Sequence, residues 1–137
     1  MKYILICALF LGINSISAQN TNRTSSPSSE YNLISPEFPG GAAAKNHFLS
    51  TNVQYPIVAK ENKIQGVVEL RFIVEIDGTL THFEILKDPG GGLGEEALRV
   101  YKLMPKWIPG DLYNQPARVP ITESLNFRLS PSKSFKK

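Results

Sequence analysis

The chain has 137 residues, of which 42% are hydrophobic, and a single cysteine, Cys7. Its formal net charge of +3 comes from 15 basic and 12 acidic residues, a small excess that does not suggest a basic nucleic-acid-binding face. Length and composition therefore allow one small domain that depends on its apolar core, and they exclude an internally disulfide-linked protein and a strongly basic nucleic-acid binder.

The first 18 residues have the layout of a secretory signal peptide. Lys2 precedes an apolar run over residues 3–13, and small and polar residues follow up to Ala18, where cleavage is expected. A membrane-spanning helix needs about 20 apolar residues, so this run is short for a permanent inner-membrane anchor, which is the alternative interpretation. The sequence therefore predicts an exported protein whose mature form lacks Cys7.

Three further segments follow the predicted signal peptide. Residues 19–35 are rich in serine, threonine and asparagine, a composition typical of a flexible linker. Residues 36–130 have the size of one small domain, and residues 131–137 form a basic tail. Within the domain, residues 42–49 are expected to be helical, and the segment QYPIVAKENKIQG predicts a short helix ahead of the first strand.

The segment GVVELRFIVEIDGTLTHFEILKD predicts a β-hairpin. Asp77-Gly78 separates two β-rich runs and suits a two-residue turn, in which both central residues need positive φ. Such a turn sets the register, because each residue then has one partner on the facing strand. The turn would pair Ile76 with Thr79. An apolar, core-facing side would then contain the pairs Val74–Thr81, Phe72–Phe83 and Leu70–Ile85, and a wetter side would contain Arg71–Glu84 and Ile73–His82.

The stretch DPGGGLGEEALRVYKLMPKW predicts an amphipathic helix that packs on the apolar side of the hairpin. Its apolar stripe, widened by Tyr101, consists of Leu93, Ala97, Val100 and Met104. Pro105 cannot continue the helix, and it pushes the preceding residue away from helical geometry. The chain should therefore turn there and bring Trp107, the only tryptophan, over the core, where its indole N–H needs an acceptor.

The last predicted strand covers residues 118–129, where apolar residues alternate and Glu123 interrupts the apolar face. Pro120 lacks a backbone donor and is tolerated at a sheet edge but not at its centre. A right-handed helical crossover then places this strand beside the first one. The predicted fold class is α+β, a three-stranded antiparallel sheet of order 2-1-3 with helices packed on one face.

No residue pattern predicts catalysis. The GGGLGEE stretch lacks the Gly-Lys-Ser/Thr ending of a phosphate-binding loop, and two glutamates in the following helical turn would repel an anion. His47 and His82 have no metal-ligand spacing, and no nucleophile stands beside a recognisable base. We therefore expect no catalytic residue, no metal and no cofactor.

Many residues of the predicted domain, in order and at suitable spacing, carry a family resemblance. They are Phe38-Pro39-Gly40-Gly41, Gln54-Tyr55-Pro56, Ala59, Gly66-Val67-Val68, Phe72-Ile73-Val74, Asp77-Gly78, Glu96-Ala97-Leu98, Met104-Pro105-Lys106-Trp107, Pro109-Gly110 and Asn126-Phe127-Arg128-Leu129. Together they resemble the TonB C-terminal domain family, in the variety that contains Phe-Pro-Gly-Gly. The resemblance covers residues 38–129, nearly all of the predicted folded part.

The resemblance implies a periplasmic domain that grips a short extended segment of an outer-membrane TonB-dependent transporter by β-strand addition. In the family the peptide lies along the last strand, with further contacts from the segment that matches Gln54-Tyr55-Pro56. The implied peptide-binding residues are Gln54, Tyr55, Pro56, Arg118, Val119, Ile121, Thr122, Glu123, Leu125 and Asn126. An open edge strand has the unpaired main-chain groups that this mode of binding needs.

Two features of the family's full-length transducers are not visible in this sequence: a membrane helix with motor contacts and a long proline-rich spacer. Residues 19–35 would reach at most about 60 Å when fully extended. The sequence therefore does not predict contact with an inner-membrane motor. The alternative to a transporter-binding module is a stand-alone structural or oligomerising periplasmic protein that uses the same edge strand to form a homodimer and does not transduce energy.

Overall fold

The computed structural model of the chain describes residues 32–130, so the predicted signal peptide, most of the predicted linker and the basic tail lie outside the described residues. Three helices and six strands follow one another along this part of the chain. They are β1 (Leu33–Ile34), α1 (Gly41–Asn52), α2 (Ile57–Glu61), β2 (Gly66–Val74), β3 (Leu80–Lys87), α3 (Leu93–Lys102), β4 (Gly110–Leu112), β5 (Gln115–Ala117) and β6 (Val119–Phe127).

The main sheet has the order β3-β2-β6, which is the predicted order 2-1-3. Both outer strands pair antiparallel with β2, so β3 and β6, which flank α3 in the chain, run parallel to each other as expected. Beside β2, β6 keeps one uninterrupted register over nine pairs, from Gly66 opposite Phe127 to Val74 opposite Val119. The predicted α+β fold class is confirmed.

The β2–β3 hairpin differs from the predicted register near its turn. The Gly78 N–H donates to the Glu75 carbonyl at 2.8 Å and the Glu75 N–H to the Thr79 carbonyl at 2.9 Å, so the loop has three residues rather than two. Val74 therefore faces Leu80, not Thr81, and Ile73 faces Thr81, not His82. The expected two-residue turn was wrong because Asp-Gly also suits a three-residue loop that ends in a glycine with positive φ.

A β-bulge then restores the predicted register. His82 has a φ of +53°, and beyond it Arg71 faces Glu84 and Leu70 faces Ile85, as the sequence predicted. The Phe72 and Phe83 rings also meet, with centroids 5.6 Å apart. The bulge inserts one extra residue into β3, so Leu80 and Phe83 both pack against the core although they are three residues apart.

The core lies between the main sheet and the helices. The predicted stripe of α3 is buried, and alternate residues of β2 meet it from the sheet. The buried cluster contains Phe38, Ala59, Val68, Leu70, Phe72, Val74, Leu93, Ala97, Tyr101, Met104, Trp107 and Phe127. Phe48 and Leu49 of α1 pack against this cluster, so the helices do cover one face of the sheet, as predicted.

The glycine-rich loop before α3 holds a carboxylate of the chain itself. Asp88 Oδ1 accepts hydrogen bonds from the N–H groups of Gly90 at 2.8 Å and Gly94 at 3.1 Å. A side chain on Gly94 would collide with this carboxylate, since a Cβ there would lie 2.4 Å from Asp88 Oδ2. The loop therefore serves as a self-contained cap at the start of α3, where an anionic group is favourable.

A second sheet of order β1-β4-β5 was not predicted. Leu33 and Ile34, which the sequence placed in the linker, pair with Leu112 and Asp111 of β4. Tyr113 and Asn114 have φ values of +56° and +62°, so the two-residue turn with two positive φ angles lies here, between β4 and β5. This small sheet lies against the start of β6, since a Cβ on Gly110 would be 2.7 Å from Val119 Cγ2.

Candidate functional site

The candidate site is the outer edge of β6. In the part of the chain that the structure describes, β6 pairs with β2 alone, so one side of a nine-residue strand has no partner strand. Side chains of Ile121 and Leu125 turn toward the helices and pack against the core, whereas Thr122, Ser124 and Asn126 are exposed on the other face. The prediction that this strand is an edge is confirmed.

The second edge of the main sheet, along β3, is irregular. Its register shifts twice relative to β2, once between Arg71 and Ile73 and once between Glu69 and Leu70. Bulges twist an edge and interrupt the row of main-chain groups that another strand would need. Of the two edges, β6 is therefore the one suited to pairing with a further strand.

The segment Gln54-Tyr55-Pro56 reaches the far end of β6. The Tyr55 ring packs edge-on against Phe127, with centroids 5.7 Å apart, and the Tyr55 hydroxyl donates to the Ile64 carbonyl at 2.5 Å. Tyr55 is thus fixed between β6 and the chain that leads into β2. The structure brings this predicted segment together with the predicted strand.

Two charged residues of α3 hold the backbone of the same segment. Glu96 Oε1 accepts a hydrogen bond from the Gln54 N–H at 2.6 Å, and Arg99 Nη2 donates to the Glu96 carboxylate at 2.7 Å and to the Asn52 carbonyl at 2.8 Å. The Arg99 guanidinium lowers the pKa of Glu96, with a smaller contribution from the Gln54 N–H. The sequence did not predict that Glu96 and Arg99 hold this segment, because their partners are distant in the chain. Glu96 is 42 positions from Gln54, and Arg99 is 47 positions from Asn52.

An open cavity of about 720 Å³ adjoins Gln54-Tyr55-Pro56. Exposed Ile57 and Val58 of α2 form one side of it, and Glu95 of α3 lies on the other side. The segment Gln54-Tyr55-Pro56 therefore contacts both this cavity and the end of β6.

Glu123 has a structural partner on the helical side of β6. Lys45 Nζ of α1 donates to its two carboxylate oxygens at 2.6 and 2.8 Å, and both side chains are about one-fifth exposed, at 20%. The Tyr101 hydroxyl lies 3.5 Å from Glu123 Oε2. Burial, followed by the Glu123 charge, raises the pKa of Tyr101 well above its usual range, so this hydroxyl stays protonated. Glu123, which interrupts the apolar pattern of this strand, is thus paired with the cation of Lys45.

The two predicted residues at the start of β6 have contacts within the fold. Arg118 lies just before the strand, and its Nε donates to the Glu75 carboxylate oxygens at 2.9 and 3.1 Å. This contact, after the larger effect of the Thr81 hydroxyl, lowers the pKa of Glu75. Val119 is 6% exposed. A visiting chain could therefore reach little of this residue.

Within residues 32–130, no group of three or more histidine, cysteine, aspartate or glutamate side chains is arranged to hold a metal ion. No helix in the same range is long and apolar enough to cross a membrane.

Comparison with known proteins places the chain in a family. Residues 51–129 match the family described as the Gram-negative bacterial TonB protein C-terminal. The chain belongs to the TonB C-terminal family. Among solved structures, it is similar to the NMR solution structure of Helicobacter pylori TonB-CTD (residues 194–285), with 23% identity over 61% of this chain and 89% of that chain and a TM-score of 0.42. No curated protein matches the chain.

Membership of the TonB C-terminal family confirms the resemblance seen in the sequence, and the family is periplasmic. The matched range contains all of the main sheet, α2 and α3, together with every predicted peptide-binding residue. The Phe38-Pro39-Gly40-Gly41 turn and the first ten residues of α1 precede it, so Lys45 lies outside the matched range and its partner Glu123 lies inside it.

Proposed function

We propose that this protein is a periplasmic peptide-binding module that docks an extended segment of an outer-membrane TonB-dependent transporter by β-strand addition at β6. The single observation that carries the proposal is the open, regularly paired edge of β6 in a domain of the TonB C-terminal family. The module would act by binding alone, without catalysis or a cofactor, in support of TonB-dependent transport.

Pro120 indicates which main-chain groups would bind the visiting strand. A strand alternates the direction of its N–H and C=O groups, and Pro120 has no N–H to give. The ladder with β2 remains complete if Pro120 turns its nitrogen toward the open edge. Thr122, Ser124 and Asn126 then turn their N–H and C=O groups the same way, whereas Ile121, Glu123 and Leu125 bond to β2.

The two ends of β6 would limit the docked segment. Gly110 and the small second sheet lie beside Val119, and Tyr55 lies beside Phe127. A visiting strand between these ends would run past the exposed Thr122 and Asn126 on one face and past half-buried Ile121 and Leu125 on the other. Main-chain bonds would give affinity, and alternate side chains would give selectivity.

Proline substitution at Ser124 tests the proposal with the least damage to the fold. Ser124→Pro removes an N–H that points to the open edge and keeps the ladder to β2, and Ser124→Ala is the matched control. Calorimetric titration would use synthetic peptides that cover the periplasm-facing segments of outer-membrane transporters from the same organism. We expect Ser124→Pro to weaken binding at least tenfold, through a lost hydrogen bond and the bulk of the ring, and Ser124→Ala to bind like the wild type.

Absence of binding to every such peptide would contradict the proposal, as would equal binding by Ser124→Pro and Ser124→Ala. Self-association through the same edge is the competing use of β6. Sedimentation would detect it as a stable dimer that peptides do not dissociate, and that result would favour the structural, oligomerising alternative.

A further inference from the structure

A small cavity lies on the helical side of β6, next to the proposed docking edge. It has a volume of about 150 Å³ and is lined by Pro36, Glu37, Phe38, Lys45, Trp107 and Glu123. We infer that this cavity, called the edge cavity below, receives one short, neutral polar side chain of the docked segment, a hydroxyl or a carboxamide. The inference rests on the proposed function, because the side chain would arrive with the added strand.

One residue that lines the cavity, Trp107, has an enclosed and unpaired donor, which is the first observation behind this inference. Trp107 is 4% exposed, and its Nε1 has no hydrogen-bond partner in the described part of the chain. A buried donor without an acceptor costs roughly 1–3 kcal/mol, and nearly all such groups in folded proteins are paired. The Trp107 indole contacts Phe38 and Phe72 edge-on, at centroid distances of 6.1 and 5.5 Å, so packing holds the ring in place.

The position of the cavity connects it with the open edge. Glu123 belongs to β6, and its partner Lys45 lies with its Nζ 5.7 Å from the centre of the Trp107 ring. These two partly exposed side chains line the cavity together with the indole. An added strand continues the sheet, so every second side chain of the segment would lie on the face of Glu123 and beside this pair.

The charges around the cavity select the chemistry of the occupant. Glu37 and Glu123 supply two carboxylates, and Lys45 supplies one ammonium that Glu123 already pairs. An anion would meet the carboxylates, and a cation would meet Lys45 and the unpaired indole donor. A hydroxyl or a carboxamide can accept from the indole N–H and donate to a carboxylate.

The volume agrees with a short side chain. Liquid water occupies about 30 Å³ per molecule, so about 150 Å³ corresponds to roughly five waters. Serine, threonine and asparagine side chains are small enough for this space. Ordered water is the competing occupant, and a cavity that only holds water would show no preference among peptides.

The only tryptophan in the chain gives a direct measurement, because a ¹⁵N-labelled sample has one indole N–H signal. We would take the tightest-binding transporter peptide and replace each hydroxyl or carboxamide residue by an apolar residue of similar shape, threonine by valine and asparagine by leucine. At one position the polar residue should move the indole signal downfield, and the apolar replacement should abolish this shift and weaken binding roughly threefold to tenfold.

Trp107→Phe supplies the matched variant, since it keeps an aromatic ring and removes the donor. In this variant the same peptide replacement should change the dissociation constant by less than about twofold. The protein variant and the peptide replacement together form a double-mutant cycle, and twofold is about its precision. Urea unfolding would confirm that the variant is folded. An unchanged preference for the polar residue in Trp107→Phe, or the same indole shift with the polar and apolar peptides, would overturn the edge-cavity inference while leaving strand addition intact.

Acetamide tests the cavity without any peptide. Titration of the free protein should shift the indole signal saturably with acetamide, while acetate and methylammonium should leave it unchanged. If no transporter peptide binds but acetamide shifts the signal, the proposed function fails and the cavity's chemistry stands. If acetamide has no effect and no peptide position prefers a polar side chain, the cavity does not recognise such groups, and the inference is wrong.

Discussion

A close backbone contact between Gly78 and Trp107 joins the hairpin loop to the chain that leaves α3. The Trp107 N–H donates to the Gly78 carbonyl at 2.8 Å, and Lys106 Nζ lies 3.2 Å from Asp77 Oδ2. The helix α3 ends at Lys102, three residues before Pro105, and the chain then turns onto the hairpin. The sequence predicted that Trp107 would fold over the core, but not the loop that it would contact, because this contact depends on packing between distant segments.

Gly78→Ala should be strongly destabilising. Gly78 has a φ of +85°, and a Cβ there would lie 2.1 Å from the Trp107 carbonyl oxygen, a backbone atom. Strain and overpacking together should lower the free energy of unfolding by about 3 kcal/mol or more, as measured by urea denaturation. Gly90→Ala is the control, since Gly90 has a φ of +94° but a Cβ there would have no atom within 4 Å. It should cost only about 1 kcal/mol; equal losses would rule out the close contact.

Asp77 should make the stability of the protein depend on acidic pH. Hydrogen bonds from the Thr79 hydroxyl and N–H, and then from Lys106, lower the pKa of Asp77 to about 2. The unfolded chain has a pKa of about 3.9 at such a group, so it binds more protons than the folded protein between these values. The contribution of Asp77 is therefore complete above pH ~4 and lost as the pH falls toward ~2.

Urea unfolding at several pH values would test this prediction. Between pH ~4 and ~2, Asp77→Asn should lose less stability than the wild type, because its side chain does not titrate. Glu84→Gln is a suitable control, since Glu84 is exposed and its closest cation, Arg71 Nη1, is 3.8 Å away. Parallel pH profiles for the wild type and Asp77→Asn would show that the hydrogen bonds at Asp77 do not persist in solution.

The elements of the main sheet could be predicted because apolar patterns specify them directly. Alternation marked β2 and β6, and Pro120 marked the edge, whereas the loop and the bulge of the hairpin were missed. Asp77-Gly78 is compatible with loops of two or three residues, and the choice depends on which residues reach the core. Leu80 and Phe83 both reach it only when the strand has an extra residue between them.

His82 is the bulged residue, and replacing it tests this interpretation of β3. Its φ of +53° is unfavourable for a β-branched side chain, and its own side chain is 65% exposed. His82→Val should therefore lower the free energy of unfolding by about 1–2 kcal/mol, and His82→Gly should leave it equal or slightly higher. Glu84→Val, at a neighbouring exposed position of the same strand, should stay within about 0.5 kcal/mol. If His82→Val were as stable as Glu84→Val, β3 would be regular in solution.

The second sheet could not be predicted from alternation, because its strands have only two or three residues. Asn114 was the available signal, since asparagine tolerates the positive φ of a tight hairpin turn. Tyr113 shares this conformation without being a usual turn residue. Short strands of this kind depend on the chain around them, here on β6 and on the segment before α1.

At the scale of the whole molecule, the candidate site combines parts that are far apart in the chain. The segment at Tyr55 and the end of β6 at Phe127 meet through an aromatic contact. The family resemblance implied that both regions contact the peptide, but neither it nor periodicity predicted this contact between them. Lys45 contributes from a third segment, 78 positions from Glu123. A prediction from local patterns finds the strand, while the cation that neutralises Glu123 and the cavity behind it depend on how α1 packs.

Hydrogen exchange of the backbone amides can locate the docking edge on the whole molecule. If a transporter peptide adds to β6, the N–H groups of Thr122, Ser124 and Asn126 should exchange more slowly when the peptide is bound, because each gains an acceptor. Ile121, Glu123 and Leu125 already bond to β2 and should change little, so protection should alternate along the strand. The amides of β3 serve as the internal control. Protection gained along β3, or in the Gln54-Tyr55-Pro56 segment without protection of Thr122, Ser124 and Asn126, would place the peptide elsewhere. Alternating protection along β6 in the concentrated free protein would indicate that two copies pair through this strand.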